Sequence, residues 1–151
     1  MKKLLLSISI AGIIPGLSAL AAFDGWHTDF NQAKKSAVEK KMPILAVFSG
    51  TDWCSWCIKL EKEVLSQNEF MNYAKNNVVL FLADFPSTHK LAPEITKQNQ
   101  DLATTYGVEG FPTVLLLSPD GKVLAKTGYR AGGAVQYVEY VKTLLKKSVK
   151  K

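Results

Sequence analysis

Cysteine and histidine are scarce in this chain, with two of each in 151 residues. That scarcity excludes a good deal. A zinc site on Cys54 and Cys57 would need two more ligands, and His27 and His89 stand at no recognised finger spacing. Covalent haem requires a histidine directly after the second cysteine, where Ile58 stands instead. The sequence therefore calls for no metal or prosthetic group. It also lacks internal repeats and low-complexity tracts. Its basic excess, 19 Lys and Arg against 13 Asp and Glu, is gathered largely at Lys146, Lys147, Lys150 and Lys151. No aromatic rings are interleaved there, so nucleic-acid binding is not expected. Lysines at that position suit a helix C-terminus and solubility.

One long apolar run is present, Leu4 to Ile14, following Met1-Lys2-Lys3. Pro15-Gly16 breaks it, and Ala19-Leu20-Ala21 follows. A basic start, an apolar stretch and small residues at A-x-A spacing describe a secretory signal peptide over residues 1–21. The alternative is an uncleaved anchor, since Leu4 to Phe23 is almost long enough to span a bilayer; the Pro-Gly break and small-residue end favour cleavage. Residues 22–151 then make one domain of about 130 residues, enough for a real core. Losing Lys2 and Lys3 lowers the formal net charge from +6 to +4. The expectation is a periplasmic or secreted domain, with monomer as the default state.

What the chain does have is Trp53-Cys54-Ser55-Trp56-Cys57, just after an apolar run and at the start of a helical pattern. Both cysteines lie in this motif although an oxidising compartment permits structural bridges elsewhere. A purely structural bridge is the bland reading, but so short a loop removes little entropy from the unfolded chain. If Cys54 begins a helix, unpaired N–H groups and the helix dipole favour its thiolate. A thiolate is the species that attacks a disulfide, and Cys57 is placed to resolve the mixed disulfide that forms.

The rest of the pattern alternates helix and strand. Thr28 is the expected N-cap of an amphipathic helix, Asp29 to Lys41, with Phe30, Ala33 and Ala37 on its apolar side. Pro43 stops it, and Ile44 to Phe48 reads as a buried strand because polar alternation is missing. The helix after the cysteines offers Ile58, Leu60, Val64 and Leu65 to the core, with Lys59, Glu61, Lys62 and Glu63 on solvated faces. Asn68 is expected to cap a short helix, Glu69 to Lys75. Val78 to Ala83 is a second buried strand leading to Asp84. Phe85 to Lys97, with two prolines, reads as a long loop that either overhangs a functional surface or is an inert insertion. Gln98 to Tyr106 is helical and ends at Gly107. Val114 to Leu117 and Val123 to Thr127 form a hairpin about Pro119-Asp120-Gly121, and Ala134 to Lys147 closes the chain as a helix. Parallel crossovers followed by a hairpin make an α/β sheet covered by helices. A proline opening a strand at Phe111-Pro112 is a candidate cis bond, with an ordinary trans bond as the alternative.

These residues together resemble the thioredoxin superfamily. The likeness is carried by the buried strand before Trp53-Cys54-x-x-Cys57, by the second strand ending in Asp84, and by Phe111-Pro112-Thr113 opening the third. Tyr106-Gly107-Val108-x-Gly110 is similar to the family's segment before its cis-proline. The leading helix and the Ser49-Gly50-Thr51-Asp52-Trp53 approach resemble the small exported thioredoxin-like reductases in particular. The resemblance implies a thioredoxin-like fold, a central mixed β-sheet flanked by helices, with an extra N-terminal helix. It implies that Cys54 attacks, that Cys57 resolves, and that Pro112 with Phe111 shapes a peptide groove beside Trp53, Ser55 and Trp56. Two departures stand out. Ser55-Trp56 replaces the family's Gly-Pro, and neither residue is the histidine that stabilises the thiolate in strong oxidants. Val47 occupies the place of the family's buried Asp, leaving Asp52, Glu61 or water to move the resolving thiol's proton.

The reading that results is an exported thiol–disulfide oxidoreductase acting on protein disulfides, as reductant or isomerase, with the Cys54–Cys57 pair as its redox centre. A membrane electron donor of the DsbD type is implied by the resemblance. The rivals are a disulfide-forming oxidant and a non-catalytic docking module with Trp53, Trp56 and Phe111 as anchors.

Overall fold

The computed structural model describes residues 25–148; the expected signal peptide lies outside them. A two-residue strand, β1 (Trp26–His27), precedes helix α1 (Phe30–Lys40). Asp29, not Thr28, is the N-cap: its Oδ1 accepts the Gln32 amide at 3.0 Å. Thr28 is turned to another task, its carbonyl accepting the Gln98 side-chain amide at 2.9 Å. At the other end Lys41 takes a left-handed conformation, φ 55°, so that the Met42 amide reaches the Ala37 carbonyl at 3.0 Å.

Strands β2 (Ile44–Ser49), β3 (Val79–Asp84), β4 (Thr113–Leu117) and β5 (Val123–Thr127) complete a sheet of order β1-β3-β2-β4-β5. β3 is parallel to β1 and β2, while β4 is antiparallel to β2 and β5. This is the mixed sheet the sequence leads one to expect, with β1 added at one edge. β1 was invisible because two half-buried residues carry no periodicity.

The central strand β2 is buried along its whole length, and its period-2 geometry splits it between two cores. Leu45 and Val47 pack with Leu60, Val64, Phe70 and Tyr137 on one side. Ile44, Ala46 and Phe48 pack with Phe30, Ala33 and Ala37 of α1 on the other. The first core is covered by α2 (Ser55–Leu60), the π-helical turn Glu61–Leu65 that continues it, α3 (Asn68–Asn77) and α5 (Gly133–Ser148). α3 is capped by Gln67 without a side-chain bond, so Asn68 is its first residue and not its cap.

The long loop is shorter than its prolines suggest. Helix α4 spans Pro93–Thr105, because proline at the first helical position gives up only an N–H that has no intrahelical partner. Only Phe85 to Ala92 remains as loop. Across the hairpin, Gly121 has φ 90°, a value that side chains rarely tolerate, and the Tyr106 hydroxyl donates to its carbonyl at 2.8 Å.

Candidate active site

The pairing of Phe48 on β2 with Thr113 on β4, and of Ser49 with Asp84 on β3, brings three chain segments to one end of the sheet. These are the approach to the cysteines, the Phe85 to Ala92 loop, and the Phe111-Pro112 segment. The Phe111-Pro112 bond is cis, one of the two forms the sequence left open. Thr113 holds that corner, its hydroxyl donating to the Gly110 carbonyl at 2.7 Å. Gly128 packs against it so closely that a Cβ there would lie 2.9 Å from the Pro112 oxygen.

Cys54 caps α2 in an extended conformation. Its amide donates to the Gly50 carbonyl at 2.9 Å, and its sulfur accepts the Cys57 amide at 3.3 Å. Cys54 and Cys57 form a disulfide with Cα atoms 5.2 Å apart. Both are buried, Cys54 at 8% exposure and Cys57 at 3%, and the two differ in what lies around them. Cys57 lines a partly open cavity of about 260 Å³ together with Val47, Leu60, Leu82 and Glu61. Cys54 stands outside it, at the surface end of the helix.

That cavity separates the two acids. Val47 does fill the site beneath the pair, at 1% exposure. Glu61 was expected on a solvated face, but it stands one α-helical turn after Cys57, its amide donating to the Cys57 carbonyl, and so falls half-buried against the same cavity. Burial raises its carboxyl pKa, and among the described residues no cation pairs with it. Asp52, by contrast, is fully engaged. It accepts the amides of Ser87 and Thr88, the latter at 2.7 Å, and the Thr88 hydroxyl. His89 Nδ1 lies 3.6 Å away. The Thr88 hydroxyl and then the Ser87 amide hold this carboxyl well below the usual carboxylate range. A carboxylate so satisfied is a poor proton acceptor. Ile58 also departs from expectation, 46% exposed, because it lies about 100° around the helix from buried Cys57.

The aromatic residues fall into two groups. Trp53 is 52% exposed, yet its position is fixed: the indole N–H donates to the Phe85 carbonyl at 2.7 Å. Its ring lies over Gly50, where any Cβ would collide with it. Phe111 meets Trp53 edge-to-face at 6.1 Å and stacks on Phe85 at 4.9 Å. Trp56, 55% exposed, lies instead on Tyr129 at 5.3 Å, with the Lys59 ammonium over both rings. The Tyr129 hydroxyl donates to Glu63 at 2.6 Å. Ser55 is exposed between them. Thus Trp53, Phe111 and Pro112 share one wall of the site, and Trp56 belongs to another. Phe85 and Tyr129 were not singled out by the sequence, since an aromatic residue in a loop carries no pattern of its own.

Among the described residues no cluster of His, Cys, Asp and Glu is arranged to hold a metal ion, and no helix is long and apolar enough to cross a membrane. Residues 30–142 match the thioredoxin-like domain family. The chain is 35% identical to the disulfide bond reductase DsbH of Chlamydia pneumoniae over 80% of its own length and 72% of that protein's. A solved DsbH oxidoreductase superposes with a TM-score of 0.76 at 31% identity, over 90% of this chain and 95% of that one. The C-terminal domain of Neisseria meningitidis DsbD in its oxidised form shares the fold at a TM-score of 0.52 and 21% identity, covering 76% and 90% of the two chains. The chain belongs to the thioredoxin-like family and is a thiol–disulfide oxidoreductase.

Proposed function

We propose that this protein is an exported reductant or isomerase of protein disulfides. The observation that carries the reading is the asymmetry of the Cys54–Cys57 pair. Cys54 sits at the surface end of α2 while Cys57 faces the cavity with Glu61. In the reduced protein the Cys54 thiolate attacks one sulfur of a substrate disulfide, and the other substrate sulfur leaves as a thiolate. Cys57, its proton taken by Glu61, then attacks the Cys54 sulfur and expels the second substrate thiol. Two electrons pass to the substrate, and the enzyme is left as the disulfide seen here.

The direction of flow is argued from what surrounds the sulfurs. Neither Ser55 nor Trp56 is cationic, so the dithiol lacks the adjacent imidazolium that strongly oxidising pairs use to stabilise a thiolate. The relative's name, disulfide bond reductase, points the same way. A signal peptide over residues 1–21 would deliver the domain outside the cytoplasm, periplasmic or secreted. Turnover there requires a membrane donor that regenerates the dithiol, of the kind DsbD represents. Pro112, Phe111, Trp53, Ser55 and Trp56 are the substrate-facing residues.

Two variants test this reading. Cys54→Ser should abolish reduction of a protein disulfide. Cys57→Ser should retain the attack and trap substrates as mixed disulfides, recovered by thiol-blocked, non-reducing electrophoresis. A protein that kept its biological effect without either cysteine would instead be a docking module.

A further inference from the structure

Loop residues Ser87 to Lys90 are all exposed and belong to neither core. What ties them down is a side chain two residues before Cys54. Asp52 accepts the Ser87 amide at 3.0 Å, the Thr88 amide at 2.7 Å and the Thr88 hydroxyl, with His89 close by. Its side chain is only 17% exposed. The root of the loop is stapled separately: Thr51 donates its amide and hydroxyl to the Asp84 carboxylate at 3.0 and 2.9 Å, and Asn99 donates to the Asp84 carbonyl at 2.9 Å. Asp84 therefore fixes where the loop begins, and Asp52 fixes where it goes.

Where it goes matters because of Phe85. Its carbonyl receives the Trp53 indole N–H, and its ring stacks on Phe111. Trp53, Phe85 and Phe111 form a continuous aromatic wall joining Cys54 to the cis-proline corner. Each ring is held by a partner before any substrate arrives, so a docking apolar segment does not have to freeze them.

Building on the reductase reading, we propose that Asp52 is a positioning residue for protein substrates. By clasping the Phe85–Ala92 loop to the entry of α2 it keeps this wall assembled, and the wall receives the extended apolar segment flanking the substrate's disulfide. The wall begins at the residue next to Cys54 and continues to Pro112, so its occupant is the chain that carries the scissile disulfide. A small disulfide reaches Cys54 without touching Phe85 and does not need the clasp.

The test compares a protein disulfide (insulin) with a small one, 5,5′-dithiobis(2-nitrobenzoic acid), for wild type, Asp52→Ala and Thr88→Val. Asp52→Ala should raise KM for insulin about tenfold with kcat held, while kcat/KM for the small disulfide stays within about twofold. Thr88→Val removes a single hydroxyl from an exposed loop tip, a change the fold tolerates, and should raise the insulin KM about threefold. The reduction potential of the pair should not move in either variant. Parallel loss with both substrates would overturn the proposal, because the clasp would then merely hold the active-site geometry. So would two variants indistinguishable from wild type. The reductase reading is judged separately, by whether the wild-type protein reduces insulin at all.

Discussion

Glu61 shows how much one side chain's chemistry depends on which helix face it shares. Standing four residues after Cys57, with its amide bonded to the Cys57 carbonyl, it shares that cysteine's face of the helix and lines its cavity, while Lys59, Lys62 and Glu63 lie on the other side. Burial raises its pKa, so the folded protein holds this proton more tightly than the unfolded chain does. The associated stability is complete below the unfolded carboxyl's pKa, about 4.3, and is lost as pH rises through the folded value. Glu61→Gln should therefore flatten the fall in stability above about pH 4, read by chemical denaturation at pH 4 and pH 7. The same variant should slow resolution of the mixed disulfide by about a hundredfold, measured by rapid mixing of a preformed adduct. An unchanged rate would assign the proton to water. Asp52, chemically as suitable, is excluded from that role by its hydrogen bonds alone.

At the scale of elements, the ends carry the surprises and the middles do not. β2 and β4 were readable because a strand buried on both faces must be apolar throughout. The boundaries went elsewhere: Asp29 took the cap that Thr28 could have served equally well, and Pro93 opened a helix where a loop was expected. The first choice involves a partner distant in sequence, Gln98, which binds both the Phe30 amide and the Thr28 carbonyl; the second is local, a proline at a position that needs no N–H. The end of α1 offers a test. Lys41 is the only non-glycine among the described residues with positive φ, and its αL backbone costs an L-residue about 1–2 kcal/mol. Part of that is offset because glycine is freer when unfolded, so Lys41→Gly should stabilise the protein by about 0.5–1 kcal/mol. The thermal midpoint should rise by a few degrees.

At the scale of the whole molecule, one end of the sheet gathers the Cys54–Cys57 disulfide, an acid and a wall of aromatic rings, and the balance between dithiol and disulfide is the property on which function turns. Potentials in this class of pair run from about −270 mV in thioredoxin to about −120 mV in the strongest oxidant, roughly 7 kcal/mol of difference. With neither residue between the cysteines cationic and a buried setting for Cys57, equilibrium against glutathione buffers should place this pair toward the thioredoxin end. A value near the oxidant end would reverse the proposed direction.

The sequence by itself determined the pair Cys54 and Cys57, the apolar β2 before them, the helix that follows and the Phe111-Pro112-Thr113 corner, and hence the family. These are local signals: a spacing, an apolar run, a proline at a strand start. Only the tertiary structure decided that Asp52 is tied up by the loop at Ser87 and Thr88, that Phe85 completes the wall with Trp53 and Phe111, and that Trp56 lies apart on Tyr129. The reason is that a carboxylate's chemistry is set by what surrounds it, and an aromatic ring's use by what it stacks on. Those neighbours come from strands and loops that are distant in the chain and meet only when the sheet is assembled.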